Sequence, residues 1–363
     1  MDITRIMGIG IGRAGNVLLN EFLKKDRRLT GLFVNSAYGD VEDLEKFDAK
    51  KNSYIFAGGS GSGRDREYAK EFLADHFQAL ADRVSRYPNQ DVIYVFFSLD
   101  GGTGSGISPK FLQVLSRTCP DKKINVVGVL PDFNKSDKLS LENTINCWKE
   151  LGDIINPEDE SPSIIDGVLF IDNSKRQTYS EVNEKAIGDL YASFNMNGKC
   201  EDGSIDDNDA KRTLTDKGYS LILTLEDEFE DVKDAINHAI KTTVFAKPNQ
   251  YLCNYLAVSM LDYDVNEVAA QFEYQETAYR ANNNKQNIIA MGGCEEPSEV
   301  IETIKIAYDD FMDRISKRSK SKRAVIDLNS PSNDKGKTKK KPDVKTSTRF
   351  TADDLDDLFS DLF

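Results

Sequence analysis

Residues Ser98-Leu-Asp-Gly-Gly-Thr-Gly-Ser-Gly106 follow directly on the apolar run Val92-Ile-Tyr-Val-Phe-Phe97, and the helical pattern resumes near Ile107. A run that is apolar at every position reads as a strand buried on both faces. The glycines after it let the backbone come close to a ligand and aim successive N–H groups at it. The helix that follows adds its positive N-terminal end. Thr103 and Ser105 add hydroxyl donors, and a di- or triphosphate is the natural guest of such a loop. A Walker A loop ends in Gly-Lys-Ser/Thr, whereas no lysine lies between Asp91 and Ser108. Phosphate charge would therefore fall to backbone amides and a metal ion. A flexible Gly/Ser linker is the plainer alternative, but a linker has no reason to follow so tightly on so apolar a strand.

Strand and helix patterns alternate through the first half. Strands are expected at Ile3–Ile9, Leu32–Val34, Tyr54–Phe56, 92–97, Ile124–Leu130 and Val168–Ile171. Helices are expected at Asn16–Arg28, Asp65–Tyr87, from Ile107 to about Cys119, and at Ser140–Ile155. The helix at 65–87 repeats Phe72, Phe77, Leu80, Val84 and Tyr87 at helical spacing. Apolar strands alternating with helices argue a parallel sheet covered on both faces. A helix from Ser180 to Phe194 follows, then a polar, acidic stretch, Lys199–Asp209, expected to be a loop. Beyond it the pattern is that of a smaller α/β unit, with strands at Leu221–Leu225, Leu252–Met260 and Asn287–Met291. Helices are expected between them at Glu228–Val244 and Asn266–Glu276, and a last one from about Pro297.

The 363 residues carry a net charge of −14, which argues against a general nucleic-acid-binding surface. No apolar run is long enough to span a bilayer, and Met1-Asp-Ile-Thr-Arg5 does not read as a signal peptide, so the expected location is the cytoplasm. The five cysteines are scattered singly, without metal-site or disulfide spacing. His76 and His238 fall in helical stretches and belong to no catalytic constellation.

Three glycine loops fall after expected strands: Gly8-Ile-Gly10-Ile-Gly12-Arg-Ala-Gly15-Asn16, Gly58-Gly-Ser-Gly-Ser-Gly63, and Asp100–Gly106. Loops at strand C-terminal ends are where open α/β sheets bind ligands. Taken alone, Gly10-x-Gly12-x-x-Gly15 would equally suit an NAD-dependent oxidoreductase. That reading needs an acidic residue closing the second strand to hold the ribose, and here the strand ends Val34-Asn35-Ser36. The set as a whole resembles the tubulin/FtsZ superfamily, in which Gly-Gly-Thr-Gly-Ser-Gly is a signature. The resemblance implies GTP/GDP as the bound nucleotide, with Mg²⁺ held through its phosphates and not directly by the chain. It places Gly10, Gly12 and Asn16 at the phosphates, Asn35 in a loop near the nucleotide, and Gly59, Ser60 and Gly61 in the loop that senses the γ-phosphate. It places Gly101, Gly102, Thr103, Gly104, Ser105 and Gly106 around the phosphates as well. Leu130-Pro131-Asp132 matches a loop near the ribose, and Asn173 follows the last strand of the sheet. Tyr179 and Asn183, four residues apart on one helical face, match the aromatic and amide that hold guanine.

The same resemblance implies GTP hydrolysis only between subunits. In the family a loop of one subunit brings two acids to its neighbour's γ-phosphate, in the pattern Asn-x-Asp-x-x-Asp with a glycine nine residues on. Counting back from Gly218 assigns Asp206 and Asp209 to those positions, with Ser204 in place of the asparagine; the acidic run leaves Asp207 open as an alternative register. A solvated acidic loop is the plainer reading of those residues. Asp100 also departs from the family, which has a small residue there.

The expected fold class is therefore α/β, tubulin/FtsZ-like. A parallel-sheet nucleotide-binding domain (1–175) is followed by a long central helix (176–198) and a smaller α/β second domain (199–316). A basic linker (317–349) and a short acidic tail (350–363) follow, with no fixed structure expected of the C-terminal region. In the tail, Leu355, Leu358, Phe359 and Leu362 form an apolar stripe too short to be a stable helix by itself. The features resemble the plasmid- and phage-borne branch of the superfamily. That implies dynamic self-assembled filaments and capture of a DNA-bound, TubR-like adaptor through the tail, with no membrane and only indirect contact with DNA. A cell-division member of the superfamily and a non-hydrolysing nucleotide-binding scaffold are the alternatives.

Overall fold

The computed structural model describes residues 1–56, 60–157, 161–283 and 285–323. The first half runs β1 (Ile6–Ile11), α1 (Gly12–Lys25), β2 (Thr30–Asn35), β3 (Ser53–Ile55), α2 (Arg66–Ser85), β4 (Val92–Ser98), α3 (Thr103–Thr118), β5 (Lys123–Leu130), α4 (Lys138–Ile155) and β6 (Gly167–Asp172). After α5 (Tyr179–Ser193) come β7 (Gly198–Cys200), β8 (Gly203–Ile205), α6 (Asp207–Leu214), β9 (Gly218–Leu225), α7 (Val232–Thr242), β10 (Leu252–Met260), α8 (Val265–Ala269), β11 (Glu273–Asn282), β12 (Asn287–Cys294) and α9 (Ser298–Arg323).

All of these strands join one sheet, in the order β3-β2-β1-β4-β5-β6-β9-β12-β10-β11-β7-β8. The first six are parallel. β1 and β4 are buried at every position, as expected of strands covered on both faces. The chain builds outward from β1 through β2 to β3, then returns to β4 and builds the other way. β1 and β4 therefore flank a topological switch point, where doubly wound sheets open a ligand crevice. α1 packs on β1 and β4 beside α5, while α2, α3 and α4 pack in a row on the opposite face. Phe22 of α1, Phe96 of β4 and Phe194 after α5 seal the first of these interfaces, with ring centroids 5.2 and 6.1 Å apart.

The second half continues the same sheet. β9 pairs in parallel with β6 through Gly167↔Gly218 and Val168↔Tyr219, then antiparallel with β12. α9 packs against α4, where Trp148 stacks on Phe170 and donates to Glu296 just before α9 (2.7 Å).

Four expectations change. The stretch 199–209 is not a loop: it forms the hairpin β7–β8, whose strands pair through Lys199↔Ser204, and then enters α6. Its apolar content is too low for a periodicity argument to detect. The helix expected at 266–276 ends at Ala269, and Glu273–Asn282 is a strand paired in parallel with β10. Its pairing partner lies in another part of the chain, and its side chains are mostly exposed, so local pattern misses it. The first strand begins at Ile6, after a 3₁₀ turn capped by Asp2, and runs on to Ile11. Finally, α1 begins at Gly12 and α3 at Thr103, each about four residues before its expected start. Glycine-rich sequence looks like loop, but here the glycines are themselves the first helical turn.

Candidate nucleotide site

At the switch point the first turns of α1 and α3 lie against each other: a Cβ placed on Gly12 would sit 2.9 Å from the Gly104 nitrogen. These two helices differ from six of the others. Among the described residues, α2, α4, α5, α6, α7 and α8 each begin after an Asp or Thr whose side chain caps the first turn. α1 and α3 begin after Ile11 and Gly102, with no side-chain cap. The free N–H groups of two helices therefore converge on one crevice, with both positive ends of the helix dipoles. An anion satisfies such groups, and a polyphosphate satisfies both sets at once.

The glycines make that approach possible in two different ways. A Cβ on Gly15 would strike the Phe96 carbonyl oxygen, and one on Gly102 would strike Ser62 Oγ and the Arg64 backbone; these are packing glycines. Gly101 has nothing within 4 Å of its missing Cβ and borders open space.

Hydroxyls tie the loops together. Ser36 Oγ and Thr103 Oγ1 lie 2.8 Å apart, and Thr103 Oγ1 donates to Ser62 Oγ at 3.2 Å. Asn16 is fully buried and donates Nδ2 to the Val34 carbonyl at 2.9 Å, while its Oδ1 has no partner. Asn35 is buried, its Nδ2 donating to Asp40 at 3.1 Å and its Oδ1 accepting from Ser36 N at 2.8 Å. Ser105 is buried behind the glycine loop, donating to the Gly101 carbonyl and accepting from Arg66 Nε at 3.2 Å. Asp100 is turned back onto Ser98, whose hydroxyl donates to its carboxylate. In the second glycine loop, Ser60 is exposed and Gly61 (φ 95°) donates its N–H to the Ser36 carbonyl. Gly58 and Gly59 lie outside the described residues.

On the far side of the crevice, Asn173 follows β6, and its Oδ1 is a second buried acceptor without a partner. Asn183 is half-buried on α5, and Tyr179 at the start of that helix is 56% exposed, a ring free to stack. A groove of about 1170 Å³ runs from Asp132 and Ser174 along α5 to Gly188 and Lys25. The converging, uncapped helix ends fit a polyphosphate, whereas the groove is lined by none of the loop glycines and by neither Asn16, Asn173, Tyr179 nor Asn183. Among the described residues no group of three or more His, Cys, Asp or Glu side chains is placed to hold a metal ion.

Asp206 and Asp209 lie elsewhere. They form a capping box at the start of α6: Asp206 accepts from the N–H groups of Asn208 (2.7 Å) and Asp209 (2.9 Å), and Asp209 accepts from that of Asp206 (3.0 Å). Asp207 accepts from Asn197 Nδ2 (2.6 Å) and pairs with the Met1 ammonium (2.9 Å), the amide first and the ammonium second holding its carboxyl below the usual range. Lys211 of α6 reaches Asp91, the residue before β4 (2.7 Å). α6 thus sits at the N-terminal edge of the parallel strands, and the glycine loops sit at the C-terminal edge. β4 alone separates the two edges by about 20 Å.

Motif reading did not single out the residues behind the loops. Arg64, the one described non-glycine residue with positive φ (67°), makes a fork to Asp137 at 2.7 and 2.9 Å. The Arg64 guanidinium holds the Asp137 carboxyl down at about 2. Asn143 and the buried Arg66 reach the loops from α4 and α2. None of these has a sequence signal apart from the fold that brings it there.

Residues 5–157 match the family described as Tubulin/FtsZ family, GTPase domain. The tubulin-like protein TubZ of Clostridium botulinum C phage is 26% identical over 327 residues, covering 89% of this chain and 88% of that protein. A tail-truncated structure of TubZ from Clostridium botulinum phage c-st superposes with a TM-score of 0.77 at 24% identity, covering 86% of this chain and 99% of that one. A GTPγS-form protofilament of TubZ from Bacillus thuringiensis serovar israelensis superposes with a TM-score of 0.73 at 15% identity, covering 89% and 95%. The fold is that of TubZ.

Proposed function

We propose that this chain, whose residues 5–157 match the tubulin/FtsZ family GTPase domain, is a filament-forming GTPase that moves plasmid or phage DNA. GTP binds with its phosphates on the first turns of α1 and α3 and its guanine between Tyr179 and Asn183. Mg²⁺ accompanies the phosphates. Asp206 and Asp209 of one subunit orient the attacking water at the γ-phosphate of the next.

The observation that carries this reading is the opposition of the two edges. The acids and the phosphate loops lie at opposite ends of the same parallel strands, so no single chain brings them together. Head-to-tail stacking does, and it makes hydrolysis depend on assembly. Positioned carboxylates acting beside a metal-bound triphosphate need correct placement more than an unusual pKa. The protofilament formed by the Bacillus protein supports such stacking in a protein of this fold.

Phosphate release measured against protein concentration tests the reading. The expected result is a threshold below which hydrolysis ceases, coincident with the appearance of filaments by electron microscopy. Activity linear in concentration from zero would make the chain a simple enzyme, and no release at any concentration would make it a scaffold. Residues 350–363, outside the described residues, are assigned to a DNA-bound, TubR-like adaptor through their Leu355, Leu358, Phe359 and Leu362 stripe. Removing 350–363 is expected to spare hydrolysis and filaments and to abolish co-pelleting of an adaptor–DNA complex. Undiminished co-pelleting would refute that assignment.

A further inference from the structure

We propose that Asn143 is the residue that turns the glycine loop's amides toward the bound phosphate, an inference that rests on the reading of the crevice as a nucleotide site. Asn143 projects from α4 behind the loops and is 4% exposed. Its Nδ2 lies 3.2 Å from the Asp100 carbonyl, 3.2 Å from the Gly101 carbonyl and 3.1 Å from the Arg64 carbonyl. The two N–H groups of one amide are thus shared among three backbone carbonyls from the two loops that flank the crevice.

The consequence follows from peptide planarity. In a trans peptide the C=O of one residue and the N–H of the next point in opposite directions, and the described chain has no cis peptide bond. Drawing the Asp100 and Gly101 carbonyls toward α4 therefore turns the N–H groups of Gly101 and Gly102 away from it. Two successive amides facing the same way form an anion-binding nest. Gly101 borders open space at its missing Cβ, while Gly102 packs on Ser62 and the Arg64 backbone. Ser105 Oγ also donates to the Gly101 carbonyl and reinforces the same orientation. The third bond holds the Arg64 carbonyl, at the residue whose φ is 67°, and so fixes the second glycine loop against the first. Without the amide nothing on α4 opposes rotation of these peptides, and a flipped peptide would present a carbonyl oxygen to the phosphate. Asn143 is a positioning residue: it touches no ligand and acts through the loop backbone.

Asn143→Asp replaces the donor with a carboxylate facing three carbonyls, at almost unchanged volume. Binding of GTP, GDP and guanosine is measured for the wild type and the variant by calorimetry. The expected result is a loss of about tenfold or more for GTP and GDP, with guanosine affinity unchanged, because only the phosphates use the nest. Asn143→Ser keeps one hydroxyl donor and is expected to fall between the two. Equal losses for all three ligands would show a merely structural role and overturn the inference. Wild-type affinity for GTP in the Asp variant would overturn it while leaving the nucleotide reading intact. A wild type that binds no guanine nucleotide would overturn both. Hydrogen exchange on the wild type is independent of whether either variant folds: GDP and inorganic pyrophosphate should each protect the peptide spanning Gly101 and Gly102, and no protection by either would refute the proposal.

Discussion

The two edges of the parallel sheet are built from the same elements and end in opposite states. At the C-terminal edge two helices start without caps, the loops are glycine, and buried acceptors on Asn16 and Asn173 have no partner. At the N-terminal edge the charged groups are paired, although Asp91 Oδ1, like the two asparagine oxygens, has no partner. Asp91 takes Arg5 (3.0 Å) and Lys211 (2.7 Å), Asp207 takes the Met1 ammonium, and α6 carries a complete capping box. The first edge leaves two helix starts uncapped, and the second carries its own ion pairs and a complete cap. A region that folds with its polar groups unpaired has traded stability for binding. A region that carries acids in a finished cap can present them to a neighbour without rearranging.

The largest expected effect tests whether the capped edge is more than structure. Replacing Asp206 or Asp209 by alanine would damage the cap, a loss of about 1 kcal/mol, and confuse the two roles. The substitutions Asp206→Asn and Asp209→Asn each keep a cap oxygen and lose the charge. Each is expected to bind GTP and assemble as before while phosphate release falls by about 100-fold, with filaments that persist. Release at the wild-type rate would reduce these acids to caps and dissolve the comparison.

Next in size is a paired test of the uncapped edge. Gly102→Ala drives a methyl into Ser62 and the Arg64 backbone and is expected to cost about 1–3 kcal/mol of stability and to weaken GTP binding. Gly101→Ala, facing open space, is expected to leave the melting temperature within a degree or two of wild type, since surface changes fall within about 0.5 kcal/mol. Thermal unfolding of both, without nucleotide, distinguishes them. Equal losses would mean that the loops are not packed against each other as described.

The smallest effect concerns acid. Asp137 titrates at about 2 in the folded chain because the Arg64 fork favours its charged form. The unfolded value is the ordinary carboxylate one, 3.8. A lowered folded pKa contributes stability above the unfolded value and loses it as pH falls from about 4 toward 2. The pair is half exposed, so its share is under about 1 kcal/mol. Asp137→Asn keeps the cap on α4 and should flatten that part of the acid-unfolding curve; an unchanged curve would show that the fork does not brace the second glycine loop.

Much of the first half was legible in sequence because its information is local. A strand apolar at every position, such as 92–97, can only be buried on both faces, and a glycine loop after it marks the ligand edge. The place of Gly101, Gly102 and Gly104 at the C-terminal end of β4 was legible for that reason. The hairpin at 198–205 was not, because its strands carry too few apolar residues for a pattern, and the strand Glu273–Asn282 was not, because it is made a strand by pairing along β10. The helix starts at Gly12 and Thr103 were hidden because glycine has poor helix propensity, and tertiary packing overrode it.

By itself the sequence determined the alternation of strands and helices up to β6, the positions of the glycine loops and the acidic run at 206–209, since each depends only on near neighbours. Only the tertiary structure decided that β1 and β4 lie side by side with two uncapped helices meeting between them. It alone put the Asp206 and Asp209 cap at the opposite edge and brought Asn143 behind three carbonyls that lie 42, 43 and 79 residues away in sequence. Those facts are relations between segments distant in the chain, and a hydrogen bond acts over about 3 Å of space whatever the length of chain that separates its partners.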